Sequence, residues 1–210
     1  MRHLHHAALG VCLVLLAGVS AYGQSALEAS ATRRISQETG IPQHLIRTLF
    51  VEQQNAQFIL AFIYINEQSV NSELKPEIRT AIAPFVDRNA LLVLAVPARR
   101  SFFDPFEISF VQNIFRVPVV GGMVTPVTPD FARGELPSGV VSAGVIALDS
   151  RVLVTQTFEV HYAGTFSASF NLNPEADRGN SGQGGGLFGD GFRFLLLNLL
   201  FLFLFPFLLL

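Results

Sequence analysis

A mostly β fold is predicted for the middle of this 210-residue chain, and three observations predict it. Apolar and polar residues alternate with period two over several stretches, as on a strand with one face in a core. Two short runs are apolar at nearly every position, which suits strands covered on both faces. Turn signals such as Pro137-Ser138-Gly139 and Ala163-Gly164 separate these stretches.

Between Pro42 and Glu52, Leu45, Ile46, Leu49 and Phe50 fall on one face at helical spacing, which predicts a short helix. Phe58 to Ile65 is one of the two doubly apolar runs and belongs at the centre of the structure. Pro76 to Val86 carries Ile78, Ile82, Phe85 and Val86 at helical spacing, with Pro76 suited to a first turn and Pro84 to a kink or an end. Leu91 to Val96 is the second doubly apolar run. Phe106, Ile108 and Phe110 alternate with Glu107 and Ser109, and a further strand covers Ile114 to Val119, confined by Pro118 to an edge or a strand end. Val140 to Leu148 makes another strand. In Arg151 to Tyr162, residues Val152, Val154, Phe158, Val160 and Tyr162 point one way and Thr155, Thr157, Glu159 and His161 the other. Phe166, Ala168, Phe170 and Leu172 repeat the device, and Ala163-Gly164 joins the two stretches as a hairpin.

About seven strands and one or two short helices predict an immunoglobulin-like β-sandwich, with an α+β sheet as the alternative. The Trp and the Cys pair of true antibody domains are missing, since the chain has no Trp and a single Cys, so the expectation concerns architecture alone.

Both ends are apolar, which inflates the hydrophobic fraction of 50% and removes any need for a polytopic reading. Residues 1–23 read as a secretory signal peptide: Arg2 and three histidines, an apolar run from Ala7 through Leu16, then Ala21-Tyr22-Gly23 with cleavage expected between Gly23 and Gln24. Residues 24–173 form the domain and residues 174–193 a Gly-rich linker read as a flexible tether. Residues 194–210 form a hydrophobic helix, apolar except for Asn198, with no basic residue after it. The small residues Asn180, Ser181 and Gly182, the polar spacer and the apolar tail together resemble a GPI-attachment signal, which implies a glycolipid joined at that triplet. Gly184-Gly185-Gly186 and the tail also resemble bacterial C-terminal sorting tails, although the usual basic cluster is missing. The lone Cys12 falls within the signal, so an intramolecular disulfide is not expected in the domain.

Chemistry is hard to find. The net charge is −2 with both signs scattered, which gives no basic groove for nucleic acid. The doublets Arg33-Arg34 and Arg99-Arg100 read as solvated surface, with anionic lipid or polysaccharide as the functional alternative. His44 and His161 stand in separate elements, and no zinc or calcium signature occurs, so no metal or cofactor is expected. Asp104 and Glu107 are close enough to suggest a carboxylate pair, yet Asp104-Pro105 is first a turn signal. Gly179-Asn180-Ser181-Gly182 resembles the nucleophile loop of chymotrypsin-like proteases, but a Gly-rich tether offers nothing to hold a triad.

The expectation is therefore an exported domain tethered to the outer face of a membrane, with a non-enzymatic role in adhesion, envelope structure or protein interaction. The alternative is a binding module for a small apolar or glycan ligand, built on Phe58, Phe62, Phe102, Phe103 and Phe106. A surface hydrolase ranks last. No residue identifies the protein or glycan partner, and the kingdom stays open between a eukaryotic surface and a bacterial envelope.

Overall fold

The computed structural model describes residues 26–54 and 56–172. The residues read as a signal peptide, the cleavage site expected at Gly23 and Gln24, the expected linker, Asn180, Ser181, Gly182 and the apolar segment 194–210 lie outside the described residues. The fold is mostly β, with antiparallel sheets and a few short helices.

The first element is a helix over residues 26–39 (α1), which the sequence reading did not anticipate. Its buried stripe is Ala31, Ile35 and Thr39, spaced four apart. Gly40, at φ 72°, closes it by donating its N–H to Ser36 O at 2.9 Å, and Pro42 follows.

Eleven strands follow, with two further short helices between the second and third. They are β1 (Ile46–Gln53), β2 (Ala56–Tyr64), β3 (Ala90–Pro97), β4 (Ser101–Phe103), β5 (Ile108–Gln112), β6 (Phe115–Pro118), β7 (Val124–Pro126), β8 (Gly134–Leu136), β9 (Ser142–Ala147), β10 (Phe158–Tyr162) and β11 (Phe166–Phe170). The helices are α2 (Glu67–Val70) and α3 (Pro76–Ile82), and α3 passes at Ala83 into a 3-10 turn containing Pro84. A five-stranded sheet runs β1-β2-β3-β9-β7, a four-stranded sheet β11-β10-β5-β6, and β4 pairs with β8.

Alternation along the strands divides the interior into two cores. Leu49, Phe58, Leu60, Phe62, Leu91, Val93 and Ile146 of the five-stranded sheet meet Ile108, Phe110, Val117, Phe158, Val160 and Phe170 of the four-stranded sheet. The intervening residues Ile46, Ile59, Ala61, Ile63, Ala90, Leu92, Leu94 and Val145 turn to the opposite face, where Ala31, Ile35, Ile78 and Ile82 of α1 and α3 cover them. The order is helices, five-stranded sheet, four-stranded sheet. This is why β2 and β3 are apolar on both faces: all eight residues of β3 are buried.

The layering also corrects the helix predicted over residues 42–52. Only Gln43–Leu45 is helical, as a single 3-10 turn, and Ile46–Gln53 is a strand. Ile46 belongs to the helix-side core and Leu49 to the inter-sheet core, so burial on both faces produced a spacing that imitates a helix. The strand expected over residues 151–162 begins only at Phe158, because Gln112 turns the preceding segment away: its Nε2 donates to Leu153 O at 2.9 Å and its Oε1 accepts from Leu153 N at 2.8 Å. The β10–β11 hairpin turns at Ala163 and Gly164 as expected, both at positive φ (49° and 70°). Pro118 and Pro126 end the edge strands β6 and β7.

Candidate functional site

One polar cluster among the described residues is built on the Asp104-Pro105 turn. Asp104 is buried, and its Oδ1 accepts from Phe106 N at 2.9 Å, capping the 3-10 turn Pro105–Glu107. Its Oδ2 lies 3.2 Å from Arg133 Nε, and its own N–H donates to Tyr162 Oη at 3.3 Å. Burial pushes the Tyr162 phenol up to about 12; the hydrogen bond with the Asp104 amide opposes the rise, and the carboxylates of Glu107 and Asp104 add to it. Tyr162 is therefore neutral through the physiological range and acts here as a strut. Both Asp104 oxygens are occupied by capping and by Arg133, a structural employment for half of the carboxylate pair read from sequence.

Around this cluster the surface is aromatic and charged. Phe102 stands opposite Glu135 in the β4–β8 register and is 44% exposed; Phe106 is 47% exposed. Arg133 lies 5.9 Å from the Phe102 ring centre, within cation–π range, and Arg100 pairs with Glu135. Arg99 Nη2 donates to Gln53 O and Gln54 O at 3.3 Å each. An open groove of about 440 Å³ runs between Gln54, Arg99, Arg100, Ser101, Phe102 and Glu135.

A second open groove, of about 490 Å³, follows the seam where α1 and β1 approach β11. Arg47 closes that seam, donating to Ser169 O of β11 and lying 5.4 Å from the Phe170 ring centre. Beside it Thr48 Oγ1 donates to Glu28 O at 2.6 Å, and Glu28 Oε1 accepts from Phe50 N at 2.9 Å. Burial pushes the Glu28 carboxyl up, partly offset by that amide. Arg33 and His44 border the same groove.

The aromatic set expected to hold a ligand is split by the fold. Phe58, Phe62 and Phe103 are fully buried, and Phe58 meets Phe103 and Tyr162 edge-on at 5.9 and 5.5 Å. Only Phe102 and Phe106 reach solvent. His161 pairs with Glu159 at 2.7 Å on the outer face of the four-stranded sheet, far in sequence from His44. Among the described residues, no group of three or more His, Cys, Asp or Glu could hold a metal ion. Arg133 and Tyr162 were missed as partners of Asp104, because their meeting is purely tertiary and leaves no local signal. Compared with family models, curated proteins and solved structures, the chain matches none.

Proposed function

We propose that this protein is an exported, membrane-tethered surface domain with a non-enzymatic structural, adhesion or interaction role. One observation carries the reading: a well-packed domain is flanked in the sequence by a signal-like segment ending at Gly23-Gln24 and by the Asn180-Ser181-Gly182 triplet with its apolar tail. The packing supports it further, since the space between the sheets is filled by Phe58, Phe62, Phe103, Phe131, Phe158 and Phe170. We read the two stacked sheets as a β-sandwich of the layered kind predicted, immunoglobulin-like in its stacking. The helices gathered on one outer face, and the consecutive β1-β2-β3 neighbours, also lend it α+β character.

The test is intact mass spectrometry of the protein from its native membrane, before and after phosphatidylinositol-specific phospholipase C. A mature N-terminus at Gln24 and a glycolipid on the Asn180–Gly182 triplet, released by the enzyme, are the expected results for a GPI anchor. An intact Leu210 replaces that anchor with a tail held in the bilayer, and a protein recovered only from the soluble fraction overturns the tether.

A second reading, a module for a glycan or a small apolar ligand, rests on exposed Phe102 and Phe106 beside the Arg133–Asp104 and Arg100–Glu135 pairs. Loss of glycan binding in Phe102→Ala, with the fold retained, is its signature.

A further inference from the structure

The four-stranded sheet has two unlike ends. One carries the Ala163-Gly164 turn and the Asp104 cluster, since Tyr162 and Ile108 pair there. The register fixes the other: Phe158 pairs with Phe170, Glu159 with Val111, and Gln112 with Phe115. The β5–β6 turn, Asn113-Ile114, therefore lies at the same end as the last described residues, and Leu172 packs there against both cores. The last described residue, Leu172, thus sits at this end, and the apolar segment 194–210 follows it in the sequence.

Both ends carry exposed apolar side chains, but the most exposed gather at this one, whereas Phe102, Phe106 and Val120 near the Asp104 cluster are 44%, 47% and 54% exposed. Ile114 is 90% exposed, Phe115 60%, and Leu153, held beside Gln112 by the two hydrogen bonds described above, 50%. Only two residues, Asn113 and Ile114, make the turn, with Asn113 at φ 55°. A turn this short carries few unpaired backbone groups with it, which matters for any element entering an apolar phase. Single exposed apolar side chains are ordinary, but several gathered on one end of a sheet form the kind of patch that marks an interaction surface.

We propose that the β5–β6 hairpin tip, with Ile114, Phe115 and Leu153, docks into the interfacial region of the bilayer that holds the protein, fixing the orientation of the domain on the membrane. The inference rests on the tether proposed above and goes beyond it, because a tether alone leaves orientation free. The bilayer is favoured over a second copy by two features: the last described residue, followed in sequence by the apolar segment 194–210, lies at this end, and the edge strand β6 is blunted against pairing by Arg116 and Pro118. Contact through apolar side chains is expected to be insensitive to salt.

The chain contains no tryptophan, so Ile114→Trp creates a single reporter at a position already in solvent. Thr165→Trp, beside the turn at the opposite end of the same sheet, is the control, and Leu153→Trp is a second reporter for the tip. The full chain is reconstituted in phosphatidylcholine vesicles with and without brominated acyl chains. The expected result is a blue-shifted Ile114→Trp emission that loses intensity with brominated lipid, unaltered by salt, while Thr165→Trp shows neither change. Protein that floats with the vesicles while Ile114→Trp and Leu153→Trp emit as in water overturns the docking and leaves the tether standing. A blue shift that grows with protein density and is not quenched by brominated lipid assigns the tip to a second copy, which also overturns it. Protein that does not float with the vesicles removes the tether and the docking together.

Discussion

Tyr162 joins the β10–β11 hairpin to the Asp104 turn between β4 and β5 through one hydrogen bond, and its burial sets a pH limit on the fold. Its phenol is raised from 10.0 to about 12 in the folded state, so its contribution is complete below pH 10 and is lost as pH rises through about 12. The expected outcome is an alkaline loss of stability in that window, followed by tyrosinate absorbance, which Tyr162→Phe flattens. The same variant removes the acceptor for Asp104 N–H, which costs about 1 kcal/mol at neutral pH, read from urea unfolding. Burial likewise favours the neutral form of Glu28 and holds its carboxyl above the ordinary value of 4.5. Its contribution is whole below its ordinary value of 4.5 and is lost as pH rises through the elevated folded value. Glu28→Gln keeps an acceptor for Phe50 N–H and should gain stability relative to the parent as pH rises across that window, as thermal melts at several pH values would show.

At the level of the element, Gly144 in β9 is required by its neighbour. A Cβ there would sit 2.1 Å from the Phe131 ring, which lies flat against the strand where no side chain intervenes. Gly144→Ala is expected to cost at least about 1–3 kcal/mol in chemical unfolding, because the ring is itself packed on Phe103 and has little room to move. Gly40 is needed for its backbone rather than its size: open space surrounds it, but its φ of 72° makes Gly40→Ala cost about 1–2 kcal/mol. That glycine was also the overlooked sign of α1. The helix escaped notice because Ile35 is the one large aliphatic residue in its fully buried stripe, and Ala31 and Thr39 make a weak periodic signal. The strands expected over 114–119 and 140–148 are found as β6 and β9, and the other elements read correctly, β2, β3, β11 and α3, either fill both faces with apolar residues or keep one period throughout. β1 was misread because two different cores claim its alternate residues, a circumstance that only the tertiary layering creates. Of the candidate site, Phe102 and Phe106 were legible as exposed aromatics only after folding, while Gly23, Gln24, Asn180, Ser181 and Gly182 lie outside the described residues.

Across the whole molecule, the five-stranded sheet belongs to both cores, so neither the helical layer nor the four-stranded sheet can lose its packing without exposing it. Unfolding is expected to be a single cooperative transition, with amides of β2 and β3 the last to exchange hydrogen and those of the loop before β10 among the first. Phe58→Ala, which empties the aromatic centre between the sheets, should lower that one transition by about 3–5 kcal/mol rather than split it in two. The same sharing divides the chain into parts that can and cannot diversify. A strand such as β3, enclosed along its whole length, has no position at which a new polar side chain could serve a partner without first disrupting a core. New specificity can arise without that penalty on the outer face of the four-stranded sheet, where Arg116, Glu159, His161, Ser167 and Ser169 lie, and on the loops at its two ends. In a saturation-mutagenesis library, permissive positions should therefore trace one side of the molecule, as a map of where this scaffold is free to acquire partners.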